Sequence, residues 1–372
     1  MLKTAPAVFV VGQEYQIMVQ VKKESLVWVK IGNDTYFDET NGIMNSLSPL
    51  HRISVPMERL DRVKEYTVCV KQVKRRKPYF TETKETVEQT FRFRPVPKED
   101  IRIYHISDTH NLIHEPIRAA QAFGRMDALV LNGDVIDHSG SPRKFENIYK
   151  ICDVLTHGEI PVVFSRGNHD MRGRFAEKFA EYTPNQYGNT YYSFRLGTLW
   201  GVVLDCGEDK ADSCEEYGFT VACHPFRERQ TLFLNRLVAN AENEYVAEDV
   251  KRRLVIVHNP FSQKDGAPFD IEEELYREWC AILREEIKPD LMICGHTHSA
   301  EIREIGNERD TYGQPCPVIT AALYDDKKYW AGYGFVLKEE KVEVILTDCK
   351  GEVLSEEEIP YGRVSWNRTK ML

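Results

Sequence analysis

Five short sequence segments carry histidine, aspartate or asparagine directly after a run of apolar residues. They are residues 107–110 (SDTH), 132–137 (NGDVID), 166–170 (RGNHD), 257–260 (VHNP) and 294–298 (CGHTH). Five of the eleven histidines of the chain lie in these segments. A single histidine is most often structural, but five that recur with aspartate and asparagine after successive apolar runs predict one shared site.

The side chains in these segments are suitable ligands for divalent metal ions. Carboxylate and amide oxygens suit hard ions and imidazole suits borderline ones, so this set favours Mn²⁺, Fe or Zn²⁺ over metals that prefer thiolate. The candidate ligands are Asp108, His110, Asp134, Asn168, His258, His296 and His298. Seven ligands suffice for two ions if one carboxylate bridges them, and Asp134, in the tight turn after Gly133, is the expected bridge.

The elements that must position these ligands are short strands alternating with helices. From Ile101 onward, apolar runs of strand length alternate with segments of helical period, which is typical of an α/β domain. Ligands at the carboxyl ends of such strands converge on one crevice. Helices are predicted over residues 117–123, 145–155, 175–182, 227–240 and 271–286, and residues 333–358 are expected to return as strands that complete a second sheet layer.

The first part of the chain has a different pattern. Residues 1 to about 94 alternate with a period of two and show no convincing helical period, so that Tyr15, Ile17 and Val19 would share one face of a strand. A stiff, polar stretch begins at Pro95 and suits a domain boundary. The predicted organisation is a small β-sandwich domain with its linker at residues 1–97 and an α/β domain at residues 98–372.

The five segments resemble the motif series DxH, GDxxD, GNH(D/E), H and GHxH of the calcineurin-like metallophosphoesterase superfamily. This chain has DTH, GDVID, GNHD, the histidine of VHNP, and GHTH in that order, and the resemblance covers most of residues 101 to about 330. It implies a four-layered α/β/β/α sandwich. The N-terminal β domain ahead of it resembles the arrangement in purple acid phosphatases.

The resemblance also implies how the ligands are shared. One ion would take Asp108, His110, Asp134 and His298, and the other would take Asp134, Asn168, His258 and His296. His169 would be catalytic, and Asp137 would orient it. Purple acid phosphatases carry a tyrosine ligand at the position of Asp137, so a ferric centre bound by tyrosinate is not expected here.

The phosphate contact is less well defined by the resemblance. Phosphoprotein phosphatases of the superfamily have an arginine directly after the aspartate at position 137, whereas this chain has His138. Arg166, Arg172 or Arg174 could contact phosphate instead, or could be surface residues. The segment of residues 205–226 is long for a connection, and either covers the site or is a plain surface excursion.

The expected activity is metal-dependent hydrolysis of a phosphate monoester or diester. A water bridging the two ions would attack phosphorus in line, and His169 would act as the general acid that protonates the leaving oxygen. One alternative is a non-catalytic metal-binding scaffold, although scaffolds of this superfamily usually lose GNH or a ligand. Another is a nuclease of the same superfamily, which needs a cationic track for its substrate.

Composition and charge limit the classes of binding partner that are expected. The formal net charge of −9 opposes a nucleic-acid partner, and the basic run of residues 71–77 is interpreted as a solvated strand edge or turn. A small phosphorylated substrate and a possible homo-oligomer are expected. No window has the roughly 18 apolar residues of a membrane helix, so no membrane partner is expected. Nine cysteines without metal-type spacing indicate reduced thiols and a cytoplasmic location.

Overall fold

The computed structural model describes residues 1–325 and 329–361. Its first 92 residues are mostly β-structure, as predicted from the alternating pattern. The elements are β1 (Ala7–Val11), β2 (Glu14–Gln20), β3 (Ser25–Ile31), β4 (Asp34–Phe37), β5 (Glu39–Thr40), β6 (Ile43–Met44), β7 (Leu50–Pro56), α1 (Met57–Val63), β8 (Glu65–Arg76) and β9 (Thr81–Arg92). The helix α1 was not expected, because its seven residues bury only Met57 and Leu60 and are too few to establish a helical period.

Strands and helices alternate through most of the remaining chain. They are β10 (Ile101–Ile106), α2 (His114–Phe123), β11 (Ala128–Asn132), α3 (Glu146–Thr156), β12 (Pro161–Ser165), α4 (Phe179–Tyr182), β13 (Tyr192–Leu196), β14 (Leu199–Leu204), α5 (Cys223–Ala239), β15 (Arg252–Val257), α6 (Glu273–Ile282), β16 (Leu291–Cys294), β17 (Glu301–Arg303), β18 (Val318–Thr320), β19 (Leu323–Asp325), β20 (Tyr329–Leu337), β21 (Lys341–Asp348) and β22 (Val353–Pro360). The predicted helix at residues 175–182 is broken into a 3-10 turn and α4. A π-helical turn, Leu283–Ile287, continues α6.

Two large sheets organise the fold. The larger sheet has ten strands, in the order β22-β21-β20-β10-β11-β12-β1-β2-β7, with β19 beside β20. The smaller has six, in the order β13-β14-β15-β16-β18-β17. Strands β10, β11 and β12 are parallel, and so are β14, β15, β16 and β18. The carboxyl ends of the parallel strands in each sheet therefore lie at one edge.

The side chains of the central strands alternate between two cores. Ile103 of β10 belongs to the core shared by the two sheets, and its neighbour Tyr104 belongs to the core beneath α2 and α3. In the smaller sheet, Ile256 of β15 faces the shared core, and Val257 belongs to the core beneath α5 and α6. The layers therefore follow the order α/β/β/α, which confirms the four-layered fold.

The N-terminal strands join the larger sheet. Strand β1 pairs in parallel with β12, Val8 opposite Pro161 and Phe9 opposite Val162. A four-stranded sheet, β4-β3-β8-β9, packs on this extension, and the predicted shared face of β2 lies in the same core as both sheets. The N-terminal region is thus a β-sandwich with one layer continuous with the larger sheet. A domain boundary at residue 97 stays a prediction, and both the sheet and the core cross that position.

The closing strands β20, β21 and β22 form an antiparallel meander. Residues 333–358 therefore return as strands, as predicted. They extend the larger sheet, because β20 pairs with β10 through Ile103 and Phe335, and they do not complete the second sheet. Sequence alternation predicts a strand but does not identify the strand with which it pairs.

The basic run of residues 71–77, the cysteines and the helices can each be compared with the sequence predictions. The basic run ends β8, where Lys74, Arg75 and Arg76 are exposed, and it is a solvated strand and turn as predicted. All nine cysteines are free thiols. Among residues 1–325 and 329–361, no helix combines the length and the apolar character needed to cross a membrane.

His105 is a fully buried histidine in the middle of the larger sheet. Neither of its ring nitrogens has a hydrogen-bond partner within the described part of the chain. Burial, and secondly the charge of His258, lowers the pKa of His105 to about 3. An unfolded histidine has a pKa of about 6.5. Below that pH the unfolded chain binds a proton that the folded chain excludes, so the free energy of unfolding falls as the pH drops from about 6.5 toward 3.

Replacing His105 by leucine is expected to remove this acid-sensitive contribution. The substitution changes the free energy of unfolding, and this change should be about 1 kcal/mol more favourable at pH 5.5 than at pH 8. The reason is that the unfolded variant has no His105 to take up a proton at the lower pH. Urea unfolding at the two pH values measures the difference. The matched control is His114→Gln, at an exposed histidine, for which the difference should be close to zero. An equal effect of His105→Leu at both pH values would contradict the prediction.

Candidate metal centre

The five motif segments meet at one end of the two stacked sheets. Asp108, Asp134 and Asn168 lie just beyond β10, β11 and β12 in the larger sheet, and His258 and His296 lie just beyond β15 and β16 in the smaller sheet. Each of these strands is parallel to its neighbour, so the segments leave the sheets at the same end. The convergence expected from the sequence is what the fold produces.

One group of donor atoms comprises Asp108, His110 and His298. The Nε2 atoms of His110 and His298 are 3.0 Å apart, and Nε2 of His298 lies 3.5 Å from Oδ1 of Asp108. Ligand bonds of about 2.0–2.2 Å to one ion place neighbouring donor atoms roughly 3 Å apart. The spacing of this group therefore fits ligands that share a metal ion.

A second group surrounds the Asp134 carboxylate. His258 Nε2 lies 3.3 Å from Oδ2 of Asp134, and the Asn168 side-chain oxygen faces that same Oδ2 at 3.3 Å and His296 Nδ1 at 3.1 Å. A carboxylate oxygen, an amide oxygen and a neutral imidazole nitrogen are all acceptors. With the amide oxygen on this side, the donor set fits a divalent ion; with the amide turned over, its nitrogen would instead donate to Asp134 and His296.

The main chain fixes the ring orientation of His258. Its Nδ1 lies 2.7 Å from the carbonyl oxygen of Asn132, and because a carbonyl only accepts, Nδ1 must donate. The side-chain nitrogen of Asn132 in turn donates to the carbonyl oxygens of Val257 and Ile293, at 3.2 and 3.1 Å. These bonds connect the two sheets and leave Nε2 of His258 directed toward Asp134 as a potential ligand.

Two buried carboxylates give the centre a strong attraction for positive charge. Asp108 is 0% exposed and Asp134 is 1% exposed. Burial opposes the charge of His258, but Asp134 and then Asp108 raise its pKa to about 10. Burial lowers the pKa of His110 and of His296 to about 4, which keeps both rings in the neutral form that binds metals.

Backbone strain is concentrated at the candidate ligands. Asp108, His110, Asp134, His296 and His298 have positive φ angles of 51°, 43°, 52°, 71° and 51°. Such left-handed conformations cost a non-glycine residue about 1 kcal/mol or more and cluster at functional sites. The loops after the strands turn sharply at these residues so that their side chains can face a common point.

Two glycines allow the ligand loops to touch. A Cβ atom on Gly167 would clash with Oδ1 of Asp134, and one on Gly133 would lie 2.6 Å from the Cα of Gly167. These contacts involve backbone atoms and a candidate ligand, so they could not be relieved by a flexible side chain. Buried Asp170 holds the same loops, since its Oδ2 accepts hydrogen bonds from the main-chain nitrogens of Asp134 and Gly167, at 3.2 and 2.8 Å.

His169 lies at the edge of this centre. Its Nε2 is 4.0 Å from Oδ2 of Asp134, and its main-chain nitrogen donates to Oδ1 of Asp134 at 2.9 Å. Its Nδ1 lies 3.0 Å from the main-chain carbonyl oxygen of Asp137, to which it must donate. The ring is therefore fixed with Nε2 toward the candidate ligands.

Asp137 contacts His169 through its main chain. This side chain, 38% exposed, binds Lys144 with an Oδ1–Nζ distance of 2.6 Å. The main-chain carbonyl of Asp137 orients His169, and the carboxylate does not, because it points to the nearby ammonium group outside the centre. Residue type alone does not distinguish these two directions.

The three candidate arginines have different surroundings. Arg166 pairs with the buried Asp205 at 2.7 Å, and Arg174 is exposed. Arg172 approaches the centre, with Nη1 3.3 Å from Nε2 of His169. Arg172 therefore contacts a residue at the edge of the candidate centre.

Two further residues of the site, Glu208 and Tyr324, were not among the candidates identified from the sequence. Glu208, near the start of the long 205–226 segment, contacts Arg172, whereas Phe219 of the same segment is 89% exposed. Glu208 follows β14 at the same sheet edge as the ligands, so its position relative to that strand could have identified it. The Tyr324 ring lies 5.1 Å from the rings of both His110 and His298, and no motif in the sequence indicated this contact.

Comparison with known sequences is consistent with this geometry. The family model described as calcineurin-like phosphoesterase matches residues 101–300. The serine/threonine-protein phosphatase CPPED1 of Danio rerio is 32% identical over 95 residues. That match covers 24% of this chain and 31% of the zebrafish protein, so it spans less than a third of that relative.

A solved structure supports the layered fold. The purple acid phosphatase PPD1 from yellow lupin (Lupinus luteus) seeds aligns with a TM-score of 0.59 and 13% identity, covering 96% of this chain and 74% of that one. A dimetal phosphatase from Danio rerio aligns with a TM-score of 0.48 and 14% identity, covering 71% of this chain and 99% of that one. The family model spans more than half of the 372 residues and includes every motif of the centre, and the chain belongs to the calcineurin-like phosphoesterase family.

Proposed function

We propose that this chain hydrolyses a phosphate monoester or diester with two divalent metal ions, Mn²⁺, Fe or Zn²⁺. The observation that supports this proposal is the convergence of the donor side chains in a chain of a phosphoesterase family. Five of the seven lie in groups of three with their donor atoms within 4.8 Å of one another: Asp108, His110, Asp134, His258 and His298. In this proposal, one ion is held by Asp108, His110, Asp134 and His298, and the other by Asp134, Asn168, His258 and His296.

The residues have distinct parts in this reaction. Bound divalent ions would supply a water nucleophile at neutral pH and neutralise charge that develops on the phosphate oxygens. His169 would give a proton to the leaving oxygen from Nε2, because its Nδ1 is engaged by the Asp137 carbonyl. Asp134 would be a ligand of both ions, because its carboxylate lies within 4.8 Å of the donor atoms of His110 and of His258.

The substrate and location are part of the proposal. The net charge of −9 favours a small phosphorylated substrate over nucleic acid. The zebrafish relative is named a serine/threonine-protein phosphatase, so a phosphopeptide belongs among the compounds to be tested. Nine free thiols support a cytoplasmic location.

Metal loading followed by an assay on several esters tests the proposal. The protein is stripped with a chelator, reloaded separately with Mn²⁺, Fe²⁺ or Zn²⁺, and assayed on p-nitrophenyl phosphate, bis(p-nitrophenyl) phosphate, nucleotides, phosphosugars, a phosphopeptide and single-stranded DNA. We expect about two ions per chain and turnover of at least one small ester that is lost on chelation. A chain that holds two ions and hydrolyses none of these compounds would be a metal-binding scaffold, and cleavage of DNA alone would indicate a nuclease.

A further inference from the structure

Arg172 is the cation that the structure places beside His169, and Glu208 holds it there. The Nε and Nη2 atoms of Arg172 donate to the two carboxylate oxygens of Glu208, both at 2.9 Å. Glu208 is 1% exposed, and the Arg172 side chain is 28% exposed. A bidentate pair of this kind fixes the plane of the guanidinium group as well as its position. Asp209 lies further away, 3.7 Å from Nη2.

The pairing determines which part of the guanidinium group faces the centre. Glu208 occupies the edge formed by Nε and Nη2, so Nη1 is directed toward Nε2 of His169, 3.3 Å away. Burial opposes the charge of Arg172, but the hydrogen bonds to Glu208 raise its pKa further above its ordinary value. The group therefore presents charged N–H donors at the point where His169 would meet the leaving oxygen.

The Asn168 amide also lies against Arg172, and its orientation depends on whether a metal ion is bound. With its oxygen toward Asp134 and His296, as a metal ligand requires, its nitrogen lies 3.1 Å from Nη2 of Arg172. Two donors at this distance repel unless both are directed to an acceptor. An anionic oxygen beside them would accept from both groups. With a metal ion bound to its oxygen, the amide would therefore turn its nitrogen toward the place where a phosphate oxygen could accept from both groups.

Building on the proposed function, we propose that Arg172 binds a phosphoryl oxygen of the substrate next to the metal centre, with Glu208 as its positioning residue. The ligand class is a phosphate group with at least one anionic oxygen. The oxygen would accept hydrogen bonds from Arg172 and from the Asn168 amide nitrogen. Phosphoprotein phosphatases of the superfamily have an arginine directly after the aspartate at position 137, whereas this chain has His138. Arg172 would make the phosphate contact in its place.

Phosphate binding and kinetics of four variants test this inference. The variants are Arg172→Gln, Arg172→Lys, the double variant Arg172→Gln with Glu208→Gln, and Arg174→Gln as the matched control on the same loop. The double variant is included because Arg172→Gln alone leaves the buried Glu208 carboxylate without its partner and could impair folding. Each metal-loaded protein is measured for metal content, thermal midpoint, calorimetric binding of inorganic phosphate, and KM and kcat on p-nitrophenyl phosphate.

We expect Arg172→Gln and the double variant to keep both metal ions and to bind inorganic phosphate about 10- to 100-fold more weakly, with KM raised in parallel. Arg172→Lys should recover part of the affinity, because it keeps the charge but not the planar donor pair. Arg174→Gln should match wild type. A fifth variant measured in the same way, Glu208→Gln alone, should weaken phosphate binding less than Arg172→Gln does, at an unchanged metal content.

The outcomes separate this inference from the proposed function. Unchanged phosphate affinity in a folded, metal-loaded double variant would overturn the role of Arg172, even if the wild type hydrolyses esters normally. Loss of metal from that variant would also overturn it, because Arg172 would then support the ligands and not the substrate. A wild type that binds phosphate through Arg172 but turns over no ester would retain the inference and refute the proposed function.

Discussion

Replacing Asp134 by asparagine is expected to abolish activity, with a loss of about 10³-fold or more in kcat/KM. The substitution keeps the shape of the side chain but removes its charge. Asp134 is 1% exposed, faces His258 at 3.3 Å and neighbours donor atoms of both groups, so loss of its charge should weaken both proposed ions together. Metal content by plasma mass spectrometry and steady-state kinetics measure the two effects on the same preparation.

The control for Asp134→Asn is Asp137→Asn, three positions later in the same motif. The Asp137 carboxylate binds Lys144 outside the centre, and its main-chain carbonyl, which contacts His169, is retained by the substitution. This variant should keep both ions and stay within about threefold of the wild-type rate, as is usual when a partly exposed ion pair is lost. Full metal occupancy and full activity in Asp134→Asn would show that the centre has been assigned wrongly.

His169→Asn is expected to lower kcat by about 10²- to 10³-fold while both ions are retained. His169 contacts Asp134 through its main-chain nitrogen, a contact that the substitution keeps, and it is not among the proposed ligands. Because the ring would supply a proton to the leaving oxygen, the loss should be larger for phenyl phosphate than for p-nitrophenyl phosphate, whose leaving group needs little protonation.

His138→Asn is the matched control for this experiment, since His138 lies in the neighbouring loop with its side chain 47% exposed. Its rates on both esters should equal those of the wild type. If His169→Asn slowed both esters by the same factor, His169 would position the substrate and would not donate the proton. A wild-type rate in His169→Asn with both ions bound would remove the residue from the mechanism.

Much of the fold could be predicted because its determinants are local. The strands that carry the ligands are short apolar runs, and the order of strands and helices after Ile101 indicated an α/β domain. The pairing of β1 with β12 could not be predicted in this way. A strand's alternation shows which side chains are buried, whereas its pairing depends on which edge is available once the rest of the sheet has formed.

The candidate ligands were identified from sequence because each follows a strand in a short motif with fixed spacing. DTH, GNHD and GHTH place donors one or two residues apart, and glycine at positions 133 and 167 lets their loops approach. The sequence by itself thus determined the residue types of the centre and the end of the fold where they meet.

Only the tertiary structure decided which atoms of neighbouring residues face the centre. It directs the Asp137 carboxylate to Lys144 and its carbonyl to His169, and it brings Glu208 to Arg172 across 36 positions of sequence. These contacts depend on side-chain direction and on the packing of a distant loop. Neither follows from residue type or spacing, because a side chain takes the partner that the finished fold places within reach.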